Sequence, residues 1–140
     1  MAEGLKIEIV SPERLVLSAN VQSVTVPGTE GYFTVMADHA PFMTTLRSGF
    51  ITVNGAGGAE VFFVRGGFAD VSPEGLTILA EEASPFAEFD HGNLQIQIRT
   101  AEESLSKAGT VEERTAAQQI VSGLLNLAAE SQHLNGTHIH

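Results

Sequence analysis

Through about residue 86 the chain alternates between apolar and polar positions. In "LKIEIV", Leu5, Ile7 and Ile9 stand against Lys6 and Glu8, the period of a strand with one buried face. Ser11-Pro12 interrupts the pattern and "RLVLS" resumes it. "VQSVTV" then sets Val24 and Val26 on one face with Ser23 and Thr25 on the other. "YFTVM", "FITV", "VFFV", "FADV" and "LTILA" read as further strands. Asn54-Gly55 with Gly57-Gly58 predicts a hairpin connection, and Ser72-Pro73-Glu74-Gly75 a tight turn. "VFFV", Val61 to Val64, is apolar on both faces and predicts an inner strand. Short strands with no helix between them predict an all-β N-terminal sandwich, or a flattened antiparallel β-barrel, over residues 1–86.

After Ser84-Pro85-Phe86 the period changes. Leu94, Ile98, Ala101 and Leu105 recur at helical spacing, and Gly109 is placed to end that helix as a left-handed cap. Thr110 opens a second helix, with Glu113 completing a capping box. Ala117, Ile120, Val121, Leu124 and Leu127 form its apolar face. So short a link makes the pair a C-terminal antiparallel α-helical hairpin over 87–133. Each helix is about 15 to 20 residues, or roughly 22 to 30 Å long. Residues 134–140 lose the period and predict a flexible tail.

Composition narrows the function. Hydrophobic content of 43% supports a packed core, and the absence of cysteine excludes disulfides and thiolate metal sites. The formal net charge is -10, with seven cations dispersed along the chain. Without a Lys/Arg cluster, nucleic acid and anionic lipid are excluded as partners. "MAEGLKIEIV" has no basic segment followed by a long apolar run, so no signal peptide is expected. No run approaches the roughly 18 apolar residues of a membrane span. A soluble protein with no direct membrane insertion is predicted.

The candidate chemistry lies in "PGTEGYFTVMADHAPF", Pro27 to Phe42. Gly28 and Gly31 let the loop turn tightly against a partner, and Tyr32 is a rigid, amphipathic interface residue. Phe33, Met36, Phe42 and Met43 add apolar surface. Asp38 beside His39 invites an acid–base reading, yet neighbours in an extended segment point to opposite faces and form no dyad. There is no G-x-S-x-G and no cysteine nucleophile. His39, His91, His133, His138 and His140 are scattered without metal-ligand spacing. No catalytic residue, cofactor or metal is predicted.

Four ordered stretches identify a family. "VPGTEGYFTVMADHAPFMTTLRSG" is similar to the Pro-Gly-x-Glu-Gly, His-Ala-Pro, Leu-x-x-Gly pattern of the epsilon subunits of bacterial F-type ATP synthases. "IVSPERLVLS", "GGFADV" and "LTILAEEA" resemble their counterparts in the same order. The resemblance is dense over the sandwich and loose over the hairpin. It implies a non-catalytic rotor subunit of the central stalk, peripheral on the cytoplasmic face of the bacterial inner membrane. Such a subunit joins gamma to the c-ring and couples proton flow to ATP synthesis, with transient contact to alpha and beta subunits. By motif, Glu30, Gly31 and Tyr32 meet the c-ring, and Ser11, His39, Ala40 and Pro41 face gamma.

Two departures concern the hairpin. Many relatives carry Ile/Leu-Asp-x-x-Arg-Ala at the start of the first helix, which in some helps bind ATP. Here the run is Phe89-Asp90-His91-Gly92-Asn93-Leu94, and Asn93 cannot supply the charged planar fork of arginine. The resemblance therefore implies a degenerate ATP motif at Asp90 and Asn93. Arg114 is the last cation, so the second helix lacks the positive charge that meets an acidic segment of beta in inhibitory relatives. A weak or absent inhibitor of ATP hydrolysis is expected. The rival readings are a free-standing β-sandwich ligand-binding module with a helical dimerisation hairpin and, further off, a small hydrolase using His39.

Overall fold

A computed structural model describes residues 4–38 and 40–139, with side chains through residue 134. His39, and the side chains of His138 and His140, lie outside the described residues. The chain forms two compact units, Met1–Phe89 and Asp90–His140.

Among the described residues, the first unit holds ten strands in two five-stranded sheets. They are β1 (Leu5–Val10), β2 (Leu15–Val21), β3 (Ser23–Gly28), β4 (Gly31–Met36) and β5 (Phe42–Thr45). β6 (Gly49–Gly55), β7 (Gly58–Arg65), β8 (Phe68–Ser72), β9 (Gly75–Leu79) and β10 (Glu82–Pro85) follow. One sheet runs β2-β1-β9-β8-β5 and the other β10-β7-β6-β3-β4. Their inward faces meet in one core: Ile7, Ile9, Leu76 and Ile78 come from the first sheet, and Val24, Val26, Ile51 and Val64 from the second. The result is a sandwich of two open sheets, and no closed barrel forms. Pairing is antiparallel except between β1 and β9, which run parallel. That pairing inserts the first strand beside the ninth, a long-range register no local pattern announces.

The alternation works as the pattern predicts. Leu5, Ile7 and Ile9 are buried, whereas Lys6 is exposed. β7 lies between β10 and β6, and both of its faces are covered. Phe62 and Val64 enter the sandwich core. Phe63 faces the other way, its ring centroid 5.8 Å from Phe50 and 4.8 Å from Phe89. Phe86, in a one-turn 3-10 helix (Phe86–Glu88), stands edge-on to Phe50 at 5.5 Å. A double-sided strand is thus apolar because a returning turn shields its second side.

The second unit pairs α1 (His91–Ser106) with α2 (Val111–Ile139). The antiparallel arrangement brings His91 Nδ1 within 3.1 Å of the buried Ser131 Oγ. Leu94, Ile98 and Ala101 are buried on α1, as are Val121, Leu127 and Ser131 on α2. Ile120, expected on the buried face, is 58% exposed. Thr110 Oγ1 accepts from the Glu113 N–H at 3.1 Å, half of a capping box, while Glu113 Oε1 reaches the Gly109 N–H at 2.9 Å. The predicted left-handed cap at Gly109 does not form. α1 stops instead at Lys107 in the right-handed region, where the Lys107 N–H bonds back to the Glu103 carbonyl. α2 has 29 residues, about 43 Å, and overshoots the predicted length because no proline interrupts it. Its backbone stays helical to Ile139, across residues where the lost period predicts a tail.

Candidate functional site

The β3–β4 hairpin turns at Thr29-Glu30, with Gly28 paired to Gly31. Gly31 adopts φ 134, a conformation closed to residues with a Cβ, so the two-residue turn requires it. Gly28 needs no such angle. Its constraint is space, since a Cβ there would meet Gly31 O and Phe33 at 3.0 Å.

A second segment braces this tip. The Thr29 N–H donates to Thr45 O at 3.1 Å, and the Arg47 N–H to Pro27 O at 3.0 Å. Gly28 also bridges to Leu46, whose N–H donates to Gly67 O at 2.8 Å. Tyr32 lies across this junction, 41% exposed. Its hydroxyl accepts from the Phe50 N–H at 3.1 Å, and the Arg47 guanidinium sits 4.8 Å from its ring centroid. Glu30, Gly31 and Tyr32 are therefore presented together, with Glu30 and Gly31 exposed at the end of the sandwich.

Ser11, Ala40 and Pro41 are not brought together. Ser11 follows β1 at the end where Val10 pairs with Leu79, Leu79 with Phe68, and Phe68 with Thr45. Ala40 and Pro41 precede the other end of β5, where Phe42 pairs with Val71 and Val71 with Leu76. The separation is three strand spacings and four residues of strand, roughly 20 Å on the diagonal. Ser11 itself is only 8% exposed and is tied into a turn, its N–H donating to Arg14 O at 2.9 Å. Asp38 is not extended as expected: its φ of 71 puts it in a left-handed turn.

The structure adds a surface that the sequence reading missed. Along the outer face of the first sheet, Leu15, Val10, Leu79 and Phe68 follow one another in register at the end near the hairpin tip. Their neighbours Ile9, Ile78 and Ala69 point into the core, so Val10, Leu79 and Phe68 point out, and Leu15, beyond a register irregularity between β1 and β2, is exposed beside them. Phe68 and Leu79 are each 50% exposed, and Leu15 more so. Met43, on the same face, is also exposed. Contiguous exposed apolar surface is more common at interaction sites than elsewhere on a protein. The available signal was Phe68 and Leu79 occupying outward positions of strands whose inward positions were already apolar.

At the start of α1, the Asp90 carboxylate accepts from the Asn93 N–H at 2.8 Å. Asp90 is thus the helix N-cap, and Asn93 stays exposed. Among the described residues, no three His, Asp or Glu side chains converge as metal ligands. Nor is any described helix long and apolar enough to cross a membrane.

The sequence model for "ATP synthase, Delta/Epsilon chain, beta-sandwich domain" matches residues 4–86, the whole braced sandwich. An ATP synthase epsilon chain from Mesorhizobium japonicum is 48% identical over 128 residues, covering 91% of this chain and 95% of the relative. The chain belongs to the ATP synthase epsilon-chain family. A Brucella anthropi member of the family is 43% identical with the same coverage. Solved structures agree on the fold. A chain in the Euglena gracilis mitochondrial ATP synthase, in an assembly of OSCP, F1 and c-ring, superposes with TM-score 0.71 at 22% identity. That match covers 99% of this chain and 82% of the other. A chain in the Tetrahymena thermophila central stalk and c-ring gives 0.61 at 14% identity, covering 89% and 96%. Membership in the epsilon-chain family places the Glu30–Tyr32 hairpin and the apolar row on a domain that the family shares, whereas the helical pair lies beyond the matched model.

Proposed function

We propose that the chain is a non-catalytic rotor subunit of an F-type ATP synthase. It joins gamma to the c-ring and helps couple proton flow to ATP synthesis at the cytoplasmic face of the membrane. The observation carrying this reading is the braced tip: a preformed hairpin bearing Glu30, Gly31 and Tyr32 adjoins an apolar row on one sheet face. The tip suits the c-ring. The outer face of the first sheet suits gamma, which would span from the Ser11 corner past Phe68 and Leu79 to the Ala40-Pro41 corner. Contact with alpha and beta is transient. Family membership favours this reading over a free-standing binding module.

The test is assembly. Affinity-tagged chain, purified from solubilised membranes, should bring down gamma and the c-ring. Vesicles whose ATP synthase lacks the chain should lose coupled synthesis and regain it on adding the chain back. Coupled synthesis in its absence would end the proposal.

The hairpin acts as a weak brake on hydrolysis or none. From Thr115 to His140 there is no Lys or Arg, so α2 offers no cation to an acidic partner segment. Asp90 serves as a helix cap and Asn93 replaces the arginine of the motif, which supports loss of ATP binding. Titration onto ATPase depleted of this chain should leave hydrolysis near its uninhibited rate, with or without truncation after Phe89. Strong inhibition abolished by that truncation would refute the reading.

A further inference from the structure

Tyr32 is the chain's single tyrosine, and there is no tryptophan. It is held from several sides. Its hydroxyl is tied to the Phe50 N–H. Gly49 passes so close that a Cβ there would lie 2.8 Å from the Tyr32 hydroxyl oxygen and 2.8 Å from Pro27 Cβ. The Arg47 guanidinium covers the ring at 4.8 Å, and Arg47 is itself fixed: its backbone N–H donates to Pro27 O, and its Nη1 donates to Ser48 O at 2.9 Å. The phenol is thus pinned at its tip and capped on a face, while two-fifths of the residue stays open to solvent.

A side chain ordered before docking loses little further rotamer entropy on binding. A fixed tyrosine paired with arginine also has the composition of an interface centre. Arg47 reaches this place from the link between β5 and β6, far in sequence from the Thr29-Glu30 turn. Together with the backbone bonds between residues 27–29 and 45–47, it merges hairpin tip and link into one platform.

We propose that Arg47 is a positioning residue for the c-ring contact: by stacking on Tyr32 it fixes the ring's orientation, so that Glu30, Gly31 and Tyr32 dock as a preformed unit. The inference rests on the rotor reading above. Guanidinium suits the place best because a planar group stacks on an aromatic face, whereas an ammonium keeps the charge and loses the stacking. Arg47→Lys therefore retains part of the effect.

The experiment uses the full chain in complex with gamma, binding to purified c-rings immobilised in lipid nanodiscs. Arg47→Gln, Arg47→Lys and Tyr32→Phe are compared with the unsubstituted chain. Arg47→Gln is expected to weaken ring affinity about tenfold, and Arg47→Lys about threefold. Tyr32→Phe, which deletes only the hydroxyl, should weaken it by less than Arg47→Gln does. Affinity for gamma should not change. The near-ultraviolet circular-dichroism band of the lone tyrosine reports ring order independently, and it should shrink in Arg47→Gln in parallel with the affinity. Unchanged ring affinity in Arg47→Gln overturns the proposal. So does an affinity loss with the tyrosine band intact, which would make Arg47 a direct contact, or an equal loss towards gamma, which would mean general damage. If the unsubstituted complex fails to bind the ring, the rotor reading falls first, and that outcome is visible before any substitution is compared.

Discussion

The sandwich and the helical pair place their apolar residues differently. In the sandwich nearly every inward position of β1, β3, β6 and β9 is buried, and Leu15, Leu79 and Phe68, three of the large apolar residues left outside, share one sheet face, while Met36 and Tyr32 stand on β4 of the other sheet. In the helical pair, Ile96, Ile120 and Leu125 stay exposed. Ile96, Thr100, Ser104, Ala117, Ile120 and Leu124 line an open groove of about 440 Å³ between the helices. A sheet with a period of two must send each residue either in or out, so its sequence is tightly constrained. Two paired helices share one seam with each other, and α2 carries a wider apolar stripe than α1 covers. The family's sequence model follows the same division, ending at residue 86.

The largest expected effect separates the two regions directly. Ile78 is fully buried in the sandwich core, and Ile78→Ala should cost about 2–5 kcal/mol through lost burial and the cavity left behind. Ile120→Ala, the same chemistry on the exposed groove, should cost no more than about 0.5 kcal/mol. Urea unfolding followed by circular dichroism measures both. Similar costs at the two sites would break the comparison, because the groove would then have to be covered in solution.

This contrast also explains what could be read in advance. The inward faces of β1 and β3 were legible because alternation is local, β7 as an inner strand because its run is apolar on both faces, and Leu94, Ile98 and Ala101 because a helical period is local too. β5 and β10 were not: "FMTT" and "EASP" are four residues each, too short for a period, and Pro85 weakens the second. The Tyr32–Arg47 stack and the distance between Ser11 and Pro41 depend on which strands pair, and register between distant strands leaves no mark in a local window. Gly109 misled because glycine permits a left-handed cap without requiring one, and the Lys107 N–H closes the helix instead.

A smaller effect sharpens the comparison from the helical side. Asp90 caps α1 through one bond, from the Asn93 N–H to its carboxylate. Asp90→Ala should remove about 1 kcal/mol of local stability, an approximately fivefold loss of hydrogen-exchange protection at the Asn93 amide. Amides of β1 and β9 should keep their protection, since the cap holds only its own helix. Unaltered protection at Asn93 would show that packing along the Leu94–Ile98 seam, rather than the cap, sets the stability of this end.

The smallest effect belongs to the sandwich edge. Arg65 on β7 reaches Glu81 through Nη1 and Glu82 through Nε, each at 3.1 Å, across to the edge strand β10. All three side chains are more than half exposed, so solvent screens the attraction. Arg65→Gln should therefore cost about 0.5 kcal/mol or less at low ionic strength, and nothing measurable at 1 M salt, where the screening length is about 3 Å. Urea unfolding at both salt concentrations tests this. A loss larger than about 1.5 kcal/mol that persists in high salt lies beyond what an exposed pair supplies. It would mean that Arg65 holds β10 in place, and with it the turn that delivers Phe86 and Phe89 onto Phe50 and Phe63. The outer cover of β7 would then depend on an ion cluster at its rim, and the sandwich would be less self-sufficient than its buried core implies.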